Sequence, residues 1–214
     1  FLKKHRYPCP AKADELWKII QSPTLQPDKV TARSGRLRLG MLLGQIENLK
    51  EHINHYEQEI QDILDTLPES DSVKSLPGVG DRLAPELVAT LGPNSKDGHN
   101  RFQAAEEIAK LSGCVPVVRE SGKWRKVSLR YACIKTLRRT FHDWAFSSIN
   151  YSLWARAYYD YHKERDQSHG TILRNLGKKW TKILFAVWSQ GTSYDETLHI
   201  QNLKARNVPW AMAL

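Results

Sequence analysis

From Leu39 onward an apolar residue returns at alternating steps of three and four: Leu39, Leu42, Ile46, Leu49, Ile53, Tyr56, Ile60, Ile63 and Leu67. That rhythm is the a/d seam of a coiled coil. A helix over this stretch is about 42 Å long at 1.5 Å per residue. Pro68 stops it, because proline has no amide to donate and clashes with the preceding turn. The seam needs a partner, either a second copy of the chain or another helix of the same chain. Its narrowness beside the face of an ordinary globular helix favours self-association. Residues 37–68 are therefore assigned to a coiled coil. Residues 1–36, broken by Pro8, Pro10, Pro23 and Pro27, form a lead-in with one helical candidate at Ala13–Gln21 and no core of their own.

Beyond the seam, Ser75 to Gly92 reads SLPGVGDRLAPELVATLG. A Leu-Pro-Gly-Val-Gly turn precedes a helix on which Leu83, Leu87 and Leu91 share a face. Gly78 and Gly80 have two readings: close packing of backbone, or free amides at a helix start that would hold a phosphate oxygen. The arrangement resembles the helix-hairpin-helix element that grips DNA backbones without reading bases. Asp81 weakens such a site and Arg82 offsets it. Phe102 to Leu111 is predicted helical, ending near Ser112-Gly113. Cys114 to Val118 is short, apolar and partly β-branched, a strand or extended loop carrying Ser121 at its far end.

Neither Gly nor Pro occurs between Lys123 and His169, so this stretch reads as helical. Its aromatic residues, Trp144, Phe146, Tyr151, Trp154, Tyr158, Tyr159 and Tyr161, are read as core, with stacking on unpaired bases as the alternative. A helix over Ile172 to Trp188 sets Arg174, Lys178 and Lys182 on one face, with Lys179 beside them. The expected fold is mainly α: a long coiled-coil helix, then a helical domain over 69–190 with a helix-hairpin-helix-like element and a short extended segment. Residues 191–214 are read as a C-terminal helix and tail.

Charge changes the picture from fold to partner. The 214 residues hold 32 Lys and Arg against 23 Asp and Glu, a formal net charge of +9, and this favours a polyanion. Seven of the cations lie between residues 123 and 139, and no acidic residue occurs from Ser121 to His142 or between Asp166 and Asp195. Arg119, Lys123, Arg125, Lys126 and Arg130 are candidates for holding phosphate. The helix faces at Lys135, Arg138 and Arg139 and at Arg174, Lys178 and Lys182 would position a nucleic-acid backbone. Ser121 beside Gly122 is either an ordinary turn or, in this field, a nucleophile directed at a phosphate.

Several classes are disfavoured. No apolar run reaches the roughly 18 residues of a membrane span, and no Walker loop or zinc motif occurs. Cys9, Cys114 and Cys133 fit reduced thiols in a cytoplasmic protein. His142-Asp143 resembles an acid/base pair but sits on a predicted helix beside Trp144, where a surface role fits better. Two-metal nucleases need clustered carboxylates, and the basic half has few. The start, Phe1-Leu2-Lys3-Lys4-His5-Arg6, does not read as a signal peptide, and a first residue other than Met reads as a processed or excised piece.

Three blocks in order, SLPGVGDRLAPELVATLG, RFQAAEEIAKLSGCVPVVRESGK and the basic helix with Leu137-Arg138-Arg139, precede a helix rich in Lys and Trp. From Val73 to about Trp188 this resembles the C-terminal part of transposases of the insertion-sequence 110/116/902 family, which also place a coiled coil between two functional domains. The resemblance implies an N-terminal RuvC-like domain, absent here, whose acidic residues hold magnesium, and a C-terminal serine that matches Ser121. It implies DNA as substrate, a noncoding bridge RNA as guide, and a prokaryotic cytoplasmic, nucleoid-associated setting. Serine attack on a phosphodiester would give a phosphoserine intermediate. Relatives carry a Ser-Lys-Arg-Gly-like turn where this chain has Ser128-Leu129-Arg130-Tyr131-Ala132-Cys133, so Ser128 stands as a second candidate nucleophile. With no metal ligands assigned to it, the fragment alone is expected to bind and not to cut. The alternative is a non-enzymatic helix-hairpin-helix binding module on a coiled-coil dimer.

Overall fold

The computed structural model describes residues 12–22, 27–93, 100–212 and 214. Phe1 to Arg6, Pro8, Cys9, Pro10 and Pro23 lie outside them. The chain is mainly helical and divides into two units after His55. The first contains α1 (Ala13–Gln21) and most of α2 (Lys29–Asp65). α2 starts well before Leu37 because Asp28 caps it: its Oδ1 accepts the amides of Val30 and Thr31 at 2.8 and 3.0 Å, and its Oδ2 accepts the Thr31 hydroxyl. The Thr31 hydroxyl and these amides hold the Asp28 carboxyl below its ordinary value. α2 ends at Asp65, ahead of Pro68. Along it the seam residues from Leu39 to Ile63 are each between 42% and 64% exposed.

The second unit begins with the last turns of α2, where Leu64, off the seam, is buried. It continues with α3 (Ser70–Lys74), α4 (Gly80–Leu91), α5 (Ala105–Leu111), the strands β1 (Val117–Ser121) and β2 (Trp124–Ser128), then α6 (Lys135–Tyr151), α7 (Leu153–Lys163), α8 (His169–Gln190), α9 (Glu196–Ala205) and a 3-10 turn at Pro209–Ala211. α6 and α8 form the centre, with α5 and α7 on α8 and α4 on α6. Pro85 lies inside α4 and leaves the Asp81 carbonyl without its helical amide. Gln61 Nε2 of α2 donates to that carbonyl at 2.8 Å, so the proline creates the acceptor that ties α2 to α4.

The core is built on tryptophan. Trp144, Trp154, Trp180 and Trp188 are fully buried, and the rings of Trp144 and Trp154 lie 5.0 and 4.6 Å from that of Trp180. Each indole N–H has an acceptor on another element: Trp144 donates to the Pro77 carbonyl at 3.0 Å, Trp154 to the Tyr194 hydroxyl at 2.7 Å, Trp180 to Ser148 Oγ at 2.8 Å and Trp188 to the Gly92 carbonyl at 3.2 Å. Trp210, read from the sequence as part of a tail, is also buried, its ring 6.1 Å from that of Trp154. Burial raises the Tyr194 hydroxyl well above its ordinary value and keeps it a neutral partner for Trp154.

Three expectations change. Residues 124–128, read as helical, form a strand. Gly122, at φ +56°, opens a two-residue turn with Lys123, and the flanking residues pair in antiparallel register. The helix predicted from Phe102 starts at Ala105. The stretch without Gly or Pro is broken at Ser152, whose hydroxyl accepts the Ala155 amide at 3.3 Å and donates to Glu196 at 2.7 Å, so α7 has its own cap.

The two glycines of the α3–α4 turn differ. A Cβ on Gly78, at φ +80°, would lie 2.8 Å from the Ser148 amide nitrogen of α6, whereas one on Gly80, at φ +58°, meets nothing within 4 Å. Gly78→Ala is therefore expected to destabilise the second unit by several kcal/mol, adding overpacking of about 1–3 kcal/mol to left-handed strain of about 1–2 kcal/mol. Gly80→Ala carries the strain alone. Urea midpoints that fall equally in the two variants would contradict this ranking.

Candidate nucleic-acid interface

Register decides how the hairpin presents its side chains. The pairs are Val117 with Ser128, Val118 with Val127, Arg119 with Lys126, Glu120 with Arg125 and Ser121 with Trp124. Alternation in a strand puts Arg119, Lys126, Ser121, Trp124, Val117 and Ser128 on one face and Val118, Val127, Glu120 and Arg125 on the other. On the second face Arg125 Nε meets Glu120 Oε1 at 2.9 Å, so that cation already has a carboxylate. On the first face Arg119 and Lys126 are exposed and directly opposed. Ser121 is exposed, and its hydroxyl makes no hydrogen bond among the described residues. Lys123 occupies the turn. Each strand's main packing partner is the other strand, so the ribbon stands off the helical core.

Ser128 is placed differently. Its hydroxyl is half-buried and donates to the Val117 carbonyl at 3.4 Å. It does not cap the next helix, which begins at Lys135 after Ile134. Of the two candidate serines, Ser121 has the open hydroxyl.

Several cations form the base of the ribbon. Arg130 Nε donates to the Val115 carbonyl at 3.2 Å, and the Arg138 guanidinium donates to the Arg130 carbonyl. Gly113, at φ +69°, makes room for Arg138, whose Nη2 would lie 2.8 Å from any Cβ there. Lys135 and Arg139 point outward from α6, Arg139 with Asp143 at 3.6 Å as its neighbour. The helix predicted over Ile172 to Trp188 is α8 (His169–Gln190). Along it Arg174 is half-buried and donates to Thr171 Oγ1 at 3.0 Å, Lys178 is half-buried, and Lys182 is exposed at 3.8 Å from Glu106. Lys179 turns inward over the rings of Tyr158 and Trp210 at 5.0 and 5.4 Å. Burial and then the charges of Lys182 and Lys178 pull its ammonium below the ordinary lysine value.

The glycine turn belongs to another surface. Gly78 to Leu83 line an open groove of ≈ 540 Å³ with Asp143, Phe146, Ser147 and Tyr151. A Cβ on Gly80 would meet nothing within 4 Å while Gly78 is used against α6, and Asp81, Arg82 and Asp143 all line the groove. Among the aromatics, Trp144, Trp154 and Tyr158 are core, whereas Phe146 and Tyr151 are exposed. Trp124, not singled out from the sequence, faces outward beside Ser121. The signal that would have found it is the Gly-Lys pair between two alternating stretches, a two-residue hairpin mark.

Cys114 and Cys133 are free thiols, and burial raises that of Cys114. No described helix is long and apolar enough to cross a membrane. Among the described residues no group of three or more His, Cys, Asp or Glu is placed to hold a metal ion.

The candidate site is thus an exposed basic ribbon that bears a free hydroxyl and stands on a helical core. Comparison with known proteins narrows the class: residues 70–160 match the model of the transposase IS116/IS110/IS902 family. The chain is 29% identical over 160 residues to the uncharacterized 43.6 kDa protein of insertion element IS110 from Streptomyces coelicolor, covering 73% of this chain and 38% of that protein. It is 26% identical over 135 residues to a mini-circle protein of the same organism named as a transposase candidate for IS117, covering 63% of this chain and 32% of the other. The chain thus spans about a third of the length of these curated relatives. The match contains the whole ribbon, the glycine turn and α6.

The two neighbouring arginines of α6 should separate by phenotype. Arg138→Ala removes a charge-assisted bond at the base of the ribbon and is expected to cost about 1.5–3 kcal/mol of stability. Arg139→Ala should leave stability unchanged and reduce the slope of log affinity for DNA against log salt by up to about one unit. Thermal melts and salt titrations of the two variants check this, and equal melts would remove the structural role given to Arg138.

Proposed function

We propose that this chain is the C-terminal part of a DNA transposase of the IS116/IS110/IS902 type and that Ser121 is its nucleophile. The observation that carries the reading is the position of Ser121: inside the matched stretch, exposed, its hydroxyl without a hydrogen bond, and one pair along the same face from Arg119 and Lys126. In the proposed step Ser121 Oγ loses its proton and attacks phosphorus. An Oγ–P bond forms as the bond from phosphorus to a deoxyribose oxygen breaks, and that oxygen leaves as a hydroxyl after taking a proton. One phosphate ester replaces another, so a second strand's hydroxyl can displace the serine without ATP. Arg119 and Lys126 are suited to stabilise charge on the non-bridging oxygens.

Serine needs help to lose its proton, and in such a protein the acidic cluster for magnesium would come from the length that this chain does not span. The exposed cations Lys123, Lys135, Arg139 and Lys182, with half-buried Lys178 beside them on α8, are suited to a DNA or guide-RNA backbone. The exposed seam of α2 is proposed as the site of self-association. Within α2 its a positions are Leu39, Ile46, Ile53 and Ile60 and its d positions Leu42, Leu49, Tyr56 and Ile63; the layers that set isoleucine at a beside leucine at d favour two strands.

In the complete protein, Ser121→Ala is expected to abolish strand exchange while leaving DNA affinity nearly intact, because one hydroxyl adds little among so many cations. Mass spectrometry of a trapped complex should place the DNA on Ser121. An adduct on Ser128, or exchange surviving without the Ser121 hydroxyl, would overturn the assignment. Binding with no adduct on any residue would favour the non-enzymatic module.

A polar residue at Ile53, mid-seam, is expected to cost on the order of 2–5 kcal/mol of association. Sedimentation should then show a dimer for the parent chain and a monomer for Ile53→Asn. A parent chain that is monomeric at high concentration would remove the second copy as partner.

A further inference from the structure

In the second unit Trp144, Trp154, Trp180, Trp188 and Trp210 are all 7% exposed or less, whereas Trp124 is 53% exposed. An indole left in water gives up the stabilisation its burial would bring, and the core shows what this unit does with the others. Trp124 lies across from Ser121 on the ribbon face that carries Arg119 and Lys126. The two cations oppose each other directly, an arrangement that costs stability in a sheet. Neither has a carboxylate partner on that face, since Glu120 points to the other side and is taken by Arg125. An anion between Arg119 and Lys126 removes the cost. The tryptophan pair follows two residues along the strand, a step of about 7 Å.

We propose that Trp124 is a positioning residue that stacks on the base of an unpaired nucleotide, next to the phosphate held by Arg119 and Lys126. This rests on reading the ribbon as the DNA-facing part of the chain. A base within a duplex has both faces covered by its neighbours and cannot offer one to an indole, whereas an unstacked base can, whatever its identity. The face therefore takes a DNA strand that is unpaired at this point, with the base on Trp124, the phosphate between the cations and the Ser121 hydroxyl beside both. Arg119 and Lys126 supply attraction that any DNA feels, and Trp124 supplies the preference for an unpaired strand.

The test uses the 214-residue chain in EDTA with two probes of one sequence, a single-stranded oligodeoxynucleotide carrying 2-aminopurine and the corresponding duplex. The parent chain should quench 2-aminopurine in the single strand. Trp124→Ala should lose that quenching and weaken single-strand binding about tenfold or more, with duplex affinity unchanged. Trp124→Phe, which keeps a ring, should restore quenching and most of the affinity, and this separates lost stacking from a disturbed ribbon. Arg119→Gln with Lys126→Gln should weaken both probes and flatten the salt dependence of each. If Trp124→Ala weakens both probes alike, or neither, the stacking role is overturned; the latter result would point to a protein contact at Trp124. If the parent chain binds neither probe at low salt, the nucleic-acid reading itself fails.

Discussion

A buried indole must give its N–H to something, and in this fold that requirement places the elements. Four core tryptophans on α6, α7 and α8 donate to Pro77, Ser148, Tyr194 and Gly92. Pro77 and Gly92 stand immediately before and after α4 and its turn, so that segment is held at both ends by side chains of other helices. A donor left unpaired in such a core costs about 1–3 kcal/mol, comparable with a large fraction of a domain's net stability. Ser148 joins the scheme from the other side: it accepts from Trp180, donates to the Ala145 carbonyl, and its backbone forms the surface against which Gly78 packs.

The proposed functional surface follows from what this core leaves outside. Two arginines that look like phosphate ligands in the sequence, Arg130 and Arg138, spend their guanidinium groups on the carbonyls of Val115 and Arg130, where they fix the base of the ribbon. Lys179 is drawn inward over two aromatic rings. The cations that remain available are those on the first face of the hairpin, at its turn and on the outer sides of α6 and α8. A rigid helical platform thus presents one short two-stranded ribbon, and the proposed chemistry is concentrated on one of its faces.

Much of this was readable from residue order. The α2 helix announced itself through Leu39 to Ile63, and Leu87 and Leu91 marked the buried face of α4. The charge field around Ser121 needed no coordinates. The hairpin was hidden because Trp124 to Ser128 carries no Gly or Pro and looks like the start of a helix, while the deciding feature, the left-handed Gly122, acts only through pairing with residues upstream. The break at Ser152 was hidden for a related reason: a serine becomes a cap only when a partner such as Glu196, 44 residues away, holds its hydroxyl. Two equal uses for Gly78 were open from residue order, and only the position of the Ser148 backbone assigns it to packing. Trp210, four residues from the last residue, had no periodicity to reveal that it closes the core.

The opposed pair of Arg119 and Lys126 has a consequence for the ribbon as a folded object. Two strands with no third neighbour are only marginally stable, and here one rung carries repulsion. Whatever anion enters between those side chains therefore acts on the pairing of the strands as well as on its own binding, since a ligand that prefers the ordered state stabilises it by mass action. Occupancy and order on this face form a single equilibrium. The hydroxyl at the end of β1 is held most firmly when a phosphate is already beside it, so the ribbon exerts selection through its own persistence: ligands that do not bridge the rung leave that hydroxyl on a looser support.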